Sequence, residues 1–88
     1  MKSVQLTITD PIGLHARPAS KLTAEASKYK SDITITFNGR VANAKSLINI
    51  MSLNVKSGAI IELVVKGLDE EQAFTGCQSV MRANGLIK

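Results

Sequence analysis

The 88-residue chain has no tryptophan, one tyrosine, two phenylalanines, one cysteine and one histidine. So few aromatic side chains leave little for a base-stacking surface that binds nucleic acid. The lone Cys77 excludes an internal disulfide and fits the reducing cytoplasm, and a single histidine far from it completes no metal site. No apolar run is long enough to span a bilayer, and the alternating N-terminus MKSVQLTITD is unlike a signal peptide. We therefore expect a cytoplasmic protein that binds neither nucleic acid nor metal and does not insert into a membrane.

The charge of the chain is moderate and evenly spread. Eleven lysines and arginines against seven acidic residues give a net charge of +4, and the basic residues are scattered rather than clustered. Such a surface suits docking to an acidic protein, with a basic nucleic-acid-binding domain as the alternative. The length allows one domain with a single modest core, and we expect residues 1–88 to form that domain as a monomer.

Apolar periodicity predicts seven elements of secondary structure. Alternating residues predict four strands, over 4–8, 33–37, 40–44 and 60–66. Asn38-Gly39 is typical of a hairpin turn between the second and third strands. Helical spacing predicts three helices. The first covers residues 16–29, the second runs to residue 53 with Ser46 as its N-cap, and the third runs to residue 84 with Asp69 as its N-cap.

The predicted order, β-α-β-β-α-β-α, indicates an α+β fold. Alternating strands leave one sheet face to water, so all three helices should cover the other face in a two-layer open-faced sandwich. We expect the last helix to bury Ala73, Cys77, Val80 and Met81, with Cys77 as a structural thiol. Gly76 weakens this helix, which suggests that it allows close packing.

The stretch GLHARPAS, residues 13–20, contains the only histidine, just before the predicted first helix. The backbone N–H groups of Ala16 and Arg17 lack partners there and lie at the positive end of the helix dipole, which favours an anion. The same dipole disfavours the imidazolium, so His15 should be a neutral nucleophile, and the planar guanidinium of Arg17 can reach a phosphoryl group. These features fit a phosphohistidine site, but they also fit an ordinary loop or capping histidine.

The motif Gly-x-His-x-Arg-Pro-Ala after a first strand, with KSLINIMSL at 45–53, resembles the histidine-containing phosphocarrier (HPr) family of the bacterial sugar phosphotransferase system. The resemblance covers essentially the whole chain. It implies that enzyme I delivers a phosphoryl group to Nδ1 of His15, supported by Arg17 and the amide of Ala16, and that IIA domains of sugar permeases receive it. It also implies an antiparallel sheet in the order 1-4-2-3, no cofactor, and a carrier rather than an enzyme.

Ser46 is a good N-cap residue for the second helix. The resemblance implies a further role, because the low-GC Gram-positive branch of the family carries a regulatory phosphate on the matching serine. The partners implied are a serine kinase and phosphorylase and a catabolite-control transcription factor. Ile50 to Leu53 resembles this branch, whereas Asn49 and Asn54 depart from it, since glycine is common there.

Apolar residues of the second helix fall on two stripes, one with Leu47, Ile50 and Leu53 and the other with Ile48, Met51 and Val55. A short helix cannot bury both stripes against a sheet. We therefore expect an exposed docking patch beside His15, formed by Leu47, Ile48 and Met51. Its expected polar rim consists of Arg17, Ser20, Lys21 and Lys45.

Two other functions fit the same residues. One is a carrier of the nitrogen-linked phosphotransferase branch, which shares the histidine motif. The other is a regulatory binding module that acts through Ser46 and the second helix and does not need His15.

Overall fold

The computed structural model describes all 88 residues, Met1–Lys88. Four strands are present: β1 (Lys2–Thr7), β2 (Asp32–Phe37), β3 (Arg40–Asn43) and β4 (Ile60–Lys66). Three helices complete the fold: α1 (Ala16–Ala26), α2 (Leu47–Ser52) and α3 (Glu70–Ala83). The predicted order of elements, β-α-β-β-α-β-α, is confirmed.

The four strands form one antiparallel sheet in the order β1-β4-β2-β3. Asn38 and Gly39 form the β2–β3 turn with positive φ angles of 52° and 75°, as the hairpin signal predicts. Burial alternates along β4, so that Ile61, Leu63 and Val65 face the helices. The expected two-layer α+β sandwich, with the helices on one face of the sheet, is confirmed.

A single hydrophobic core lies between the sheet and the helices. Leu22 of α1, Ile50 of α2 and Met81 of α3 are fully buried against the inward residues of the strands. Each such side chain contributes about 1.5 to 3 kcal/mol through removal from water. None of the helices has the length and apolar character that crossing a bilayer requires.

The first helix is shorter than its apolar spacing predicts. α1 ends at Ala26, and Tyr29 lies in the turn beyond it. Tyr29 is half-buried against the core, and its hydroxyl donates a 2.7 Å hydrogen bond to Glu25.

Two burial expectations also need correction. Val80 is only partly buried, and Val55, which follows α2, belongs to the core instead of an exposed stripe.

Asp69 precedes α3 as predicted, but its side chain does not cap the helix. Its carboxylate accepts hydrogen bonds from the backbone N–H groups of Lys30 and Ser31, both 2.9 Å, and from the Ser31 hydroxyl at 2.5 Å. These bonds, the hydroxyl bond above all, lower the pKa of Asp69 to about 2. The prediction of a side-chain cap is therefore wrong, because Asp69 instead ties α3 to the loop between α1 and β2.

Gly76 and Cys77 lie where α3 packs on α1. A Cβ on Gly76 would lie 2.2 Å from Oη of Tyr29, so the predicted close packing is confirmed. Cys77 is fully buried, and burial raises its pKa to about 11. A protonated, inaccessible thiol of this kind has a structural role.

Candidate functional site

The loop before α1 is held against the segment that follows α2. Gly13 has a φ of +89°, and a Cβ there would lie 2.6 Å from the carbonyl oxygen of Val55. The next residue, Leu14, donates a 3.0 Å backbone hydrogen bond to that same oxygen. Only glycine allows this approach without strain, so Gly13 fixes where the chain enters α1.

His15 is the N-cap residue of α1, with extended backbone angles of −101° and 175°. Its carbonyl accepts the first helical hydrogen bond, from Ala19 at 3.0 Å. Its imidazole makes no capping bond and is 30 % exposed. The predicted placement of the only imidazole at the start of the helix is therefore confirmed.

The first turn of α1 presents unused hydrogen-bond donors beside this ring. The amides of Ala16 and Arg17 have no intrahelical partners, and neither donates among the loop and cap hydrogen bonds. Pro18 follows, where a missing N–H group does not matter. Arg17 is exposed. The arrangement places two amides and the dipole of an eleven-residue helix next to one imidazole, with the guanidinium of Arg17 two positions further along the chain, which suits a bound phosphoryl group.

Asp10 is a neighbour of the histidine that the sequence analysis missed. Its Oδ2 lies 3.2 Å from Nε2 of His15, and its Oδ1 accepts a 2.9 Å hydrogen bond from the backbone N–H of Ile12. The Ile12 bond is the main cause that lowers the pKa of Asp10, and the bond to His15 acts in the same direction. The available signal was an acidic residue in the turn immediately before the histidine.

The contact between Asp10 and His15 determines which ring nitrogen is free. An ionised carboxylate has no proton to donate, so the hydrogen bond requires a proton on Nε2. In the neutral ring Nδ1 then carries the lone pair. The ring nitrogen that this contact leaves free to act as a nucleophile is therefore Nδ1.

Two residues of the expected rim lie close to His15 along α1. Ser20 is exposed and its hydroxyl donates to the carbonyl oxygen of Arg17 at 2.8 Å. Lys21 is also exposed and lies on the next position. Both are one turn or slightly more from the start of the helix, on the element that carries Arg17.

The second helix has the predicted cap and a partly exposed apolar surface. Oγ of Ser46 accepts a 3.3 Å hydrogen bond from the backbone N–H of Asn49, so its N-cap role is confirmed. Ile50 is buried and Leu47 is half-buried, whereas Ile48 is 82 % exposed and Met51 is 38 % exposed. The helix does leave one stripe of apolar side chains unburied.

The two helices run in opposite directions, which separates Ser46 and Lys45 from the histidine. Val55, beyond the end of α2, contacts the loop before His15. By contrast, Nζ of Lys45, just before α2, donates a 2.7 Å hydrogen bond to the carbonyl oxygen of Tyr29, beyond the end of α1. Eleven residues of α1 span about 16 Å at 1.5 Å per residue. The Lys45 ammonium therefore lies at the far end of α1 from His15, and Met51 is nearer to the histidine than Ser46 is.

Comparisons with known proteins agree with this geometry. Residues 2–83 match the family model described as the PTS HPr component phosphorylation site. The chain is 42 % identical to the phosphocarrier protein HPr of Lysinibacillus sphaericus, with both sequences fully covered. It is 40 % identical to HPr of Mycoplasma pneumoniae, over 99 % of this chain and all of that one.

Solved structures give the same result. A Mycoplasma histidine-containing phosphocarrier protein superposes with a TM-score of 0.97 at 41 % identity, over 99 % of each chain. Crh of Bacillus subtilis, described as a dimer with a swapped domain, is 30 % identical with a TM-score of 0.74 over the full length of both. The chain belongs to the HPr family of the phosphotransferase system and is a phosphocarrier, not an enzyme.

Proposed function

We propose that the chain accepts a phosphoryl group from phospho-enzyme I on Nδ1 of His15 and passes it to IIA domains of sugar permeases. The observation that carries the proposal is the hydrogen bond of Nε2 to Asp10, 3.2 Å long, at the start of α1. It leaves the lone pair of Nδ1 available next to the unused amides of Ala16 and Arg17.

In the proposed transfer, the Nδ1 lone pair forms a bond to phosphorus while the bond from phosphorus to the donor breaks. The donor atom keeps that electron pair, and no proton has to leave His15. The amides of Ala16 and Arg17 and the guanidinium of Arg17 stabilise the negative oxygens of the transferring group. Discharge to the IIA domain is the same exchange with a new acceptor atom.

Incubation with enzyme I and labelled phosphoenolpyruvate tests the proposal. We expect one phosphate per chain by intact mass, in a bond that is acid-labile and base-stable. His15→Ala should take up none. Uptake by this variant at the wild-type rate would exclude His15 as the carrier residue.

The docking surface for both partners is proposed to be the exposed part of α1 and α2. The exposed Ile48 and Met51 would provide its apolar centre, and the exposed Arg17, Ser20 and Lys21 of α1 would provide its polar rim. The net charge of +4 supports an acidic partner surface. The engaged ammonium of Lys45 gives that residue a smaller part in the rim than the sequence suggested.

Ser46 is proposed to carry a regulatory phosphate, added and removed by a serine kinase and phosphorylase and recognised by a catabolite-control transcription factor. A phosphate there would meet the first-turn amides of α2 and leave the helix intact. Its effect would be on partner docking, because a hydrated dianion beside Ile48 must lose water when a protein covers it. Incubation with the kinase and ATP tests this, and Ser46→Ala should not be labelled.

The carrier is proposed to work in the cytoplasm as a monomer, and the lone buried Cys77 supports the reducing compartment. The enzyme I that phosphorylates the chain distinguishes a carrier of the sugar branch from a carrier of the nitrogen-linked branch. Labelling by the sugar-branch enzyme I, but not by its nitrogen-branch counterpart, would support the first. The reverse result would support the second.

A further inference from the structure

Asp10 is held rigidly on the loop that leads into α1. Its Oδ1 accepts the 2.9 Å bond from Ile12, and its backbone carbonyl accepts a 2.9 Å bond from the N–H of Gly13. Its side chain is only 13 % exposed. Because one carboxylate oxygen is occupied by the backbone, the other has a fixed direction, and that direction leads to Nε2 of His15.

The other charged groups around the imidazole do not contact it in this way. Arg17 is exposed on the first turn of α1, and the backbone of Lys56, on the loop between α2 and β4, lies against Gly13. Neither cation forms a salt bridge with Asp10, whereas Nε2 of His15 lies within hydrogen-bond distance of its carboxylate. Asp10 is thus the anion that faces the ring.

We propose that Asp10 is a positioning residue for His15: it holds the unphosphorylated, neutral imidazole in the Nε2–H tautomer, so that the lone pair is on Nδ1 when each transfer begins. The tautomer itself is a property of the free chain. Its consequence for phosphoryl transfer rests on the proposed function of His15.

The same contact has a role after transfer. When Nδ1 forms its bond to phosphorus and Nε2 keeps its proton, the ring gains one positive charge. The Asp10 carboxylate lies beside the atom that bears that proton and offsets the charge. On discharge the Nδ1–phosphorus electron pair returns to the ring, so that no proton enters or leaves at either step.

Asp10→Asn tests the tautomer directly. The asparagine Oδ1 can still accept the Ile12 bond, which turns its NH₂ group towards Nε2. An amide donor requires a lone pair on Nε2 and so favours the Nδ1–H tautomer. The measurement is ¹⁵N NMR of the His15 side chain at a pH above the usual pKa range of histidine. We expect it to show a proton on Nε2 in the wild type and on Nδ1 in the variant.

The kinetic expectation follows from this tautomer change. If about nine rings in ten adopt the Nδ1–H form, the reactive form is depleted about tenfold, and labelling by enzyme I should slow by about that factor. Asp10→Ala, which offers no donor, should slow labelling less than Asp10→Asn. Asp32→Asn is the matched control, because Asp32 is exposed on β2 and its replacement changes the net charge equally.

The outcomes separate this inference from the proposed function. A tautomer that stays Nε2–H in Asp10→Asn overturns the positioning role, as does an altered tautomer with unchanged labelling rate. An equal loss of rate in Asp32→Asn also overturns it, because charge alone would then explain the effect. Failure of the wild type to take up phosphate would overturn the proposed function. The NMR measurement would still test the tautomer of His15, because it does not depend on phosphate uptake.

Discussion

Replacing Gly76 of α3 with alanine should destabilise the chain, although alanine is the better helix former. The new Cβ would lie 2.2 Å from Oη of Tyr29 and 2.8 Å from Oε2 of Glu25. These two atoms are joined by a 2.7 Å hydrogen bond. The hydroxyl would have to move, and the bond that it donates to the carboxylate would be lost.

Three contributions set the size of the effect. Glycine to alanine inside a helix gains about 1 kcal/mol. Loss of a hydrogen bond to a charged acceptor costs about 1.5 kcal/mol, at the low end of its range because Glu25 keeps a bond from Lys28. Forcing a methyl group into a filled site costs at least about 1 kcal/mol. Gly76→Ala should therefore lower the free energy of unfolding by about 1.5 kcal/mol.

Tyr29→Phe isolates the cause, because it removes the obstructing hydroxyl. The nearest ring atom to the new Cβ is then Cζ, at 3.1 Å, and the Glu25 carboxylate is no longer tied to the ring. In this background Gly76→Ala should be neutral or stabilising by up to about 1 kcal/mol. Urea denaturation of the four chains should give a coupling energy of about 1.5 to 2.5 kcal/mol.

Thr75→Ala is the control for helix propensity, since Thr75 is the adjacent, exposed residue of α3. It should change stability equally in the tyrosine and phenylalanine backgrounds. A coupling energy between Gly76 and Tyr29 below about 0.5 kcal/mol would refute the packing argument. Stabilisation by Gly76→Ala in the wild-type background would refute it as well.

Three further predictions concern charge and capping. Arg17→Ala should slow labelling by enzyme I about tenfold or more, with a nearly unchanged melting temperature. Arg17→Lys should recover only part of the rate. A full labelling rate in the alanine variant would exclude Arg17 from the mechanism. In calorimetric titrations Ser46→Asp should bind enzyme I more weakly than the wild type while remaining folded. Ser46→Ala should bind enzyme I normally and lose about 1 kcal/mol of stability because the helix cap is lost. Binding of enzyme I by the aspartate variant as tightly as by the wild type would contradict the docking role. The pKa of Asp69 is lowered from 3.8 to about 2, so its stabilisation is complete above about pH 4 and is lost as the pH falls towards 2. Denaturation at a series of pH values should show the wild-type advantage over Asp69→Asn shrink in that window, and a constant difference would count against this linkage.

Local signals in the sequence were sufficient for most of the fold. Alternation along β1, β2 and β4 reports which residues face the core, and Asn38-Gly39 specifies a turn that connects two neighbouring strands. The end of α1 was misjudged because Tyr29 continues the apolar spacing of Ala26. Its side chain does pack against the core, but from a turn beyond the helix, and spacing alone does not distinguish the two cases.

Contacts between distant segments could not be predicted from the sequence. Asp69 has the residue type and position of a helix cap, yet it bonds Ser31, which is 38 positions away. The ammonium of Lys45 was expected near His15, and its actual partner, Tyr29, depends on how α2 lies along α1. For the candidate site, the helix start at Ala16 was predictable from local rules, whereas the direction of the Asp10 carboxylate depends on the three-dimensional path of the loop.

An open site suits a carrier better than a cleft does. In the proposed cycle His15 meets a donor and later an acceptor, so the groups that would hold the phosphoryl oxygens cannot come from a wall that closes over the ring. Here the amides of Ala16 and Arg17 are fixed by the start of α1, and Gly13 fixes the loop against Val55. The site is therefore organised in the free chain, and in the proposed cycle water would be excluded only while a partner covers it. If the same imidazole serves both partners, as proposed, selection between them must depend on the surface of α1 and α2 around His15.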